Sequence, residues 1–131
     1  MKLVLDTNAY SDLMRGRRGV QNDVRNADLV ILPATVVGEL FQGFLGGRKN
    51  EENRRQLREF LKSSAVEFNP TDESVCDRYA LVLDQLRRKG RPVPTNDIWI
   101  AAHALAAGGV LLSSDHHFAF IDGLSWHRPS S

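Results

Sequence analysis

The sequence lacks two features that would have indicated an exported or membrane protein. Its single cysteine, Cys76, cannot form an intramolecular disulfide, which favours a reducing compartment such as the cytoplasm. Cys76 lies within an apolar helical pattern, so we predict a structural thiol. No apolar run is long enough to span a bilayer, and Asp6 interrupts the apolar start that a signal peptide requires. We therefore expect a soluble protein that has no membrane partner.

An excess of charge of one sign is also lacking. The chain has 17 Lys and Arg residues against 16 Asp and Glu residues, so its net charge of +1 indicates no class of partner. The 131 residues, of which 42% are hydrophobic, suffice for one compact core but not for two ordinary domains. We expect one domain over residues 1–131, and therefore one functional site.

Short apolar runs alternate with amphipathic segments along the whole chain. Runs closed by Pro, Asn or Asp predict strands at 2–5, 29–33, 65–68, 110–114 and 124–126. Helical spacing predicts helices at 7–15, 20–26, 35–45, 50–62, 71–89 and 95–107, with Thr95 as the cap of the last. This alternation predicts an α/β fold, a three-layer α/β/α sandwich with a mainly parallel central sheet.

Four acidic residues occupy positions that solubility alone does not explain. Asp6 and Asp115 follow predicted strands, Asp97 lies in the first turn of a helix, and Glu39 lies within another. In open parallel sheets ligands bind beyond the carboxyl ends of the strands, where these side chains can converge. Crowded carboxylates cannot all remain ionised without a cation. Oxygen ligands without a Cys or His partner favour Mg²⁺ or Mn²⁺ over zinc.

Each of these acids also has an ordinary structural interpretation. Asp6 is in place to cap the first helix, and Asp97 is in place to interact favourably with a helix dipole. Glu39 lies opposite the apolar face of its helix, which favours exposure to solvent, and Asp115 is suited to a loop turn. One shared cause explains the four positions together better than four separate ones do.

The ordered set "LDTNAY", helical Glu39, "PTNDIWIAAHA" and "LLSSDHHF" resembles the PIN-domain ribonucleases, and most of all the VapC toxins of bacterial toxin–antitoxin pairs. The resemblance covers nearly the whole chain and implies metal-dependent endonuclease cleavage of RNA. It places the catalytic acids at Asp6, Glu39, Asp97 and Asp115, of which Asp6, Asp97 and Asp115 would hold the metal, and supporting roles at Asn8, Asn96 and Ser113.

The resemblance also implies how the protein works and with what. One or two divalent ions would activate a water molecule, so that cleavage leaves a 5′-phosphate and a 3′-hydroxyl. A homodimer and a cognate antitoxin that masks the acidic cleft are implied as partners. The apolar face of the helix from Val36 to Leu45 is our candidate for dimer or antitoxin contact.

Two basic clusters can supply contacts to RNA phosphates, although each residue can also be explained as a solvated helix end. They are Arg15, Arg17 and Arg18 in the first cluster and Arg87, Arg88, Lys89 and Arg91 in the second. We expect His116 and His117 to be an exposed loop pair and His103 to be packed and hydrogen-bonded.

Other acidic sites fit the sequence less well. A haloacid dehalogenase-like phosphatase requires a second Asp two residues after the first, where this chain has Asn8. A receiver domain requires an acidic pair after the first strand and a Lys after a late one, and neither is present. The competing hypothesis from another class is a non-catalytic module whose acids dock a basic partner segment.

Overall fold

The computed structural model describes residues 1–131 and contains one five-stranded sheet in which all neighbouring strands are parallel. The order of the strands is β3-β2-β1-β4-β5, so β1 is central and its neighbours are β2 and β4. Strands β1, β2 and β4 are almost wholly buried, as their continuous apolar runs predict. The strands are β1 Lys2–Leu5, β2 Leu29–Pro33, β3 Val66–Asn69, β4 Val110–Leu112 and β5 Trp126–His127.

Six helices cover the sheet, which gives the three-layer α/β/α architecture that the alternation of elements predicts. A 3-10 helix at His116–Phe120 follows β4. The α-helices are α1 Thr7–Met14, α2 Arg18–Arg25, α3 Ala34–Leu45, α4 Asn50–Lys62, α5 Glu73–Lys89 and α6 Thr95–Ala107. None of them combines the length and the apolar composition that crossing a membrane requires.

Three local expectations are wrong. Helix α6 has Pro94 at its N-cap position with no side-chain cap, and Thr95 is already helical. Strand β4 ends at Leu112 rather than at Ser114, although the backbone N–H of Ser113 still donates to the carbonyl of His127 in β5 at 3.1 Å. Cys76 is exposed on α5, so it is not a structural thiol. An amphipathic helix has a polar boundary on each side of its apolar face, and Cys76 lies on the solvent side of that boundary.

The order of the strands determines where the site is. Strands β1 and β4 are neighbours, and Leu5 pairs with Leu112 at the last position of both. From β1 the chain proceeds to β2 and β3 on one side of the sheet and then crosses back to β4 on the other side, so the carboxyl ends of β1 and β4 flank a topological switch point. Asp6 therefore emerges beside the segment that begins at Ser113.

His103 is packed inside α6, as expected. It is fully buried, its Nδ1 lies 2.6 Å from Asn69 Oδ1, and its Nε2 lies 3.2 Å from Thr71 Oγ1. Desolvation lowers the pKa of His103 to about 4. The ring is therefore neutral in the folded protein at physiological pH, and it joins α6 to the segment between β3 and α5.

The pKa of His103 predicts a loss of stability in acid. Its folded pKa of about 4 lies below the ordinary histidine pKa of 6.5, so the unfolded chain binds the proton more readily. Stability from this group is complete above pH 6.5 and falls by on the order of 3 kcal/mol towards pH 4. His103→Gln should flatten the free energy of unfolding between these pH values in denaturant titrations. His127→Gln, at an exposed position, should not; equal slopes in all three proteins would contradict the prediction.

Candidate metal centre

Asp6 serves as a helix cap and also belongs to the acidic cluster. Its Oδ1 accepts a hydrogen bond from the backbone N–H of Ala9 at 2.8 Å, which caps α1. Its own backbone N–H donates to the carbonyl of Leu112 at 3.4 Å, so the start of α1 remains tied to β4. The residue is only 6% exposed. The ordinary interpretation and the functional one therefore both apply to the same carboxylate.

Ser113 connects the two acids that follow β1 and β4. Its side chain is fully buried and hydrogen-bonds Asp6, and its Oγ also accepts a hydrogen bond from the backbone N–H of Asp115 at 3.0 Å. Asp115 in turn caps the 3-10 helix by accepting from the backbone N–H of His117 at 2.9 Å. One hydroxyl thus holds the loop after β4 beside the end of β1.

Asp97, Asp115 and His117 form the tightest group of candidate ligands. One ligand atom from each lies within 4.8 Å of the others, and all three residues are half-buried. His117 Nδ1 is 3.0 Å from Asp97 Oδ2 and also 3.0 Å from Asp115 Oδ1. The expectation of an exposed histidine pair is therefore wrong for His117, because the 3-10 helix turns it inward while His116 remains exposed.

Glu39 lies beside this group and is held by two hydrogen bonds. Thr7 Oγ1 donates to Glu39 Oε1 at 2.7 Å, and Asn96 Nδ2 donates to Glu39 Oε2 at 3.3 Å. The helical wheel alone favours exposure of Glu39 to solvent, but the residue is half-buried in the structure. Asn8, by contrast, is exposed and makes no hydrogen bond to any of the acids.

Burial and like charge both disfavour ionisation of the central acids. Desolvation raises the pKa of Asp6 despite hydrogen bonds from Ser113 and Ala9, and the charges of Asp97 and Asp115 raise it further. Desolvation likewise raises the pKa of Asp97, with contributions from Asp115 and Glu39 against the opposing effect of His117. The hydrogen bond to Asp97 raises the pKa of His117, with a further contribution from the charge of Asp115. The cluster therefore favours a positive charge among its oxygens.

The donors present fit a divalent cation. Asp6, Asp97 and Asp115 supply carboxylate oxygens from three separate elements, and the raised pKa values of Asp6 and Asp97 show that a nearby cation would favour their ionised forms. Besides the oxygen donors expected from the sequence, His117 adds an imidazole nitrogen to the group. Carboxylates nevertheless outnumber it.

The basic residues predicted to contact RNA fall into two sets in the structure. Arg15 and Arg17 lie 3.5 and 3.2 Å from Asp12, Arg88 lies 3.1 Å from Asp84, and Lys89 lies 2.5 Å from Asp122. Arg15 also lines a cleft of about 470 Å³ together with Thr7 and Glu39. Those without a carboxylate partner are Arg18, Arg87 and Arg91.

Three residues of the site were not predicted from sequence. Thr7 orients Glu39, His117 contacts two acids, and Trp126 Nε1 donates to the carbonyl of Ser113 at 2.8 Å. A signal existed for Thr7, which lies next to Asp6. The contribution of Trp126 depends on β5 pairing with β4, so only the tertiary structure reveals it.

Fold and site together define an α/β protein with a carboxylate-rich cluster, a candidate cation site, at the carboxyl edge of a parallel sheet. The chain belongs to the PIN-domain family, because the family model described as "PIN domain" matches residues 3–124. It is 29% identical to Ribonuclease VapC1 of Haemophilus influenzae strain R2866, over 96% of each chain.

Solved structures agree with this assignment. VapBC-1 from nontypeable Haemophilus influenzae is similar with a TM-score of 0.86 and 28% identity, over 98% of each chain. VapBC2 from Rickettsia felis, bound to a DNA fragment from its promoter, gives a TM-score of 0.85 and 25% identity, also over 98% of each chain. In both cases the structural similarity covers the whole fold rather than a single motif.

Neutralising Asp6 should remove stabilisation by metal without weakening the fold. Asp6→Asn keeps an N-cap acceptor for Ala9 but removes a buried charge whose raised pKa makes ionisation costly at neutral pH. We expect equal or higher stability without metal. At 100 times its dissociation constant, Mn²⁺ should stabilise the wild-type protein by about 2.7 kcal/mol, a rise of roughly 10 °C in Tm, and should leave the variant unchanged.

The matched control is Asp72→Asn, at the N-cap of α5, where Asp72 accepts from the backbone N–H of Val75 at 3.0 Å. This variant should keep the full rise in Tm. If Asp6→Asn keeps the rise as well, Asp6 does not belong to the cation centre.

Trp126 should influence the cation centre at a distance. Trp126→Phe removes the hydrogen bond to Ser113, whose hydroxyl contacts Asp6 and Asp115, so the loop loses a constraint. We expect Mn²⁺ affinity measured by calorimetry to fall about 10-fold. Trp99→Phe is the control, since Trp99 stacks on Tyr79; a similar fall there would contradict a specific role for Trp126.

Proposed function

We propose that this protein is a metal-dependent endoribonuclease that acts as the toxin of a toxin–antitoxin pair. The observation that carries the proposal is the convergence of Asp6, Asp97 and Asp115 at one edge of the sheet in a chain of the PIN-domain family. The curated relatives named ribonuclease VapC support the reaction and its substrate class. The similar VapBC structures support a cognate antitoxin as partner.

We assign the cation as Mg²⁺ or Mn²⁺, held by Asp6, Asp97 and Asp115. Hard carboxylate oxygens favour these ions, and Mn²⁺ also tolerates the imidazole of His117. When bound, such an ion supplies Lewis-acid stabilisation of charge on the scissile phosphate and lowers the pKa of water. Ser113 keeps Asp6 and Asp115 together, and His117 contacts both Asp97 and Asp115 and so orients them.

Glu39 is our candidate for orienting the attacking water. Thr7 and Asn96 each donate to one of its oxygens, which leaves acceptor capacity on both for a water hydrogen. Water would add to phosphorus as the bond to the 3′-oxygen breaks, and that oxygen would leave as a hydroxyl. The products would therefore carry a 5′-phosphate and a 3′-hydroxyl. The unpaired cations Arg18, Arg87 and Arg91 would contact neighbouring phosphates.

A non-catalytic module that docks a basic segment fits the site less well. Asp6 is only 6% exposed, so a lysine or arginine of a partner cannot surround it as a small ion can. Carboxylates that merely receive a partner are best presented at the surface. The burial of Asp6 therefore favours the nuclease.

We further propose that the chain acts as one nuclease domain in the cytoplasm, and as a homodimer. Residues Val36, Val37 and Leu40 of α3 are buried within the chain, but Leu45 is 65% exposed and Phe44 is half-buried. Arg54 lies 3.9 Å from the centre of the Phe41 ring and covers part of it. The outer half of this face remains our candidate for dimer or antitoxin contact.

The test is incubation of the antitoxin-free protein with total RNA and Mn²⁺, comparing the wild type with Asp6→Asn and Asp72→Asn. Wild type and Asp72→Asn should cut RNA and leave 5′-phosphates, as ligation-based end mapping detects. Asp6→Asn should be slower by about 100-fold or more. Equal cutting by Asp6→Asn, or products with 5′-hydroxyls, would contradict the mechanism, and absence of cutting by the wild type would contradict the function.

A further inference from the structure

A second cleft lies where α5 ends and α6 begins. It encloses about 420 Å³, within the range of pockets that hold small organic ligands. Gly90 ends α5 in the left-handed conformation at φ +65°, and the segment that follows turns back towards α6. The side chains that matter for its chemistry are Leu83, Leu86, Val93, Ile98, Arg87 and Arg91.

The four cations of the segment at 87–91 are divided between this cleft and the outer surface. Arg88 is paired with Asp84 at 3.1 Å and Lys89 with Asp122 at 2.5 Å, and neither lines the cleft. Arg87 and Arg91 do line it, and neither has a carboxylate partner. The guanidinium of Arg91 lies 4.8 Å from the centre of the Phe120 ring, which supports it at the rim. The cleft therefore combines two unneutralised positive charges with no acidic lining residue.

An apolar floor beneath unpaired arginines matches the chemistry of one nucleotide. A base has an apolar face that can pack on Leu83 and Val93. The phosphates on either side of the base are negatively charged, so they can pair with Arg87 and Arg91, which have no carboxylate partner in the protein. An acidic peptide helix could also satisfy the two charges, but it needs a longer apolar track than a single cleft offers. We therefore take RNA as the occupant.

The cleft and the acidic group share the start of α6. Ile98 lines the cleft, and the preceding residue, Asp97, contributes to the acidic group. We propose that this cleft is a nucleotide subsite for the RNA strand, in which the base packs on the apolar floor while Arg87 and Arg91 hold the flanking phosphates. The inference rests on the proposed function and assigns part of its substrate recognition to the cleft between α5 and α6.

The test compares two double variants that remove the same charge. Arg87→Gln with Arg91→Gln changes the cleft, and Arg88→Gln with Lys89→Gln changes the paired cations of the same segment. All are made in the Asp6→Asn background, so that RNA is not consumed. The probe is a fluorescein-labelled single-stranded oligouridylate of about 12 nucleotides, within the span of known single-strand sites. Fluorescence anisotropy gives its dissociation constant at several salt concentrations.

Loss of two phosphate contacts should lower the slope of log affinity against log salt by about 1.4 for the cleft variant. The paired-cation variant should keep most of the affinity and the slope. Equal losses in both variants would overturn the proposal, because they would reflect net charge alone. Unchanged RNA binding in the cleft variant, with antitoxin binding weakened, would overturn it in favour of a protein occupant.

A second measurement tests the base. Val93→Phe fills the cleft without changing charge, and it should reduce by about fivefold the preference for the oligouridylate over an abasic oligomer of the same length. An unchanged preference would overturn the proposed seat for the base. These binding measurements do not depend on catalysis. A wild-type protein that fails to cut RNA would contradict the proposed function. If the wild type cuts RNA but the cleft variants bind the oligouridylate as tightly as their Asp6→Asn parent does, only the subsite is contradicted.

Discussion

The structure depends on like charges being held together at the junction of β1 and β4. Asp6 leaves one strand and Asp115 follows the other, while Leu5 and Leu112 pair at the last position of both strands. Backbone hydrogen bonding therefore sets how close these acids come, and repulsion between them cannot separate them without breaking the sheet. Burial raises the pKa values of Asp6 and Asp97, and the nearby charge of Asp115 raises both further.

Polar contacts hold these acids in place, but they do not remove the repulsion between them. Ser113 bonds both strand-end acids, His117 lies between Asp97 and Asp115, and Trp126 fixes the carbonyl of Ser113 from the edge strand. These contacts hold the acids in place for a cation. Ionisable groups with shifted pKa values, held in a fixed arrangement, are typical of functional sites. At such sites the local structure is less favourable than elsewhere in the fold. The surrounding core of buried aliphatic residues supplies the stability that this requires.

The sequence was sufficient for the parts of this account that depend on periodicity. Buried apolar runs predicted the parallel strands, and acids at strand ends predicted the edge where Asp6 and Asp115 meet. It was insufficient where side-chain direction within an irregular segment decides the contact. The 3-10 helix turns His117 inward, and no periodic pattern predicts that orientation. Glu39 lies on the polar side of its helical wheel, yet hydrogen bonds from Thr7 and Asn96 hold it at the site.

Anomalous diffraction from crystals soaked in Mn²⁺ tests the central claim most directly, because it locates the ion independently of activity. We predict one or two strong peaks bounded by the carboxylates of Asp6, Asp97 and Asp115. Crystals of the Asp6→Asn variant should show no such peak. Crystals of the unaltered protein that bind Mn²⁺ only elsewhere, or not at all at saturating concentration, would contradict the account.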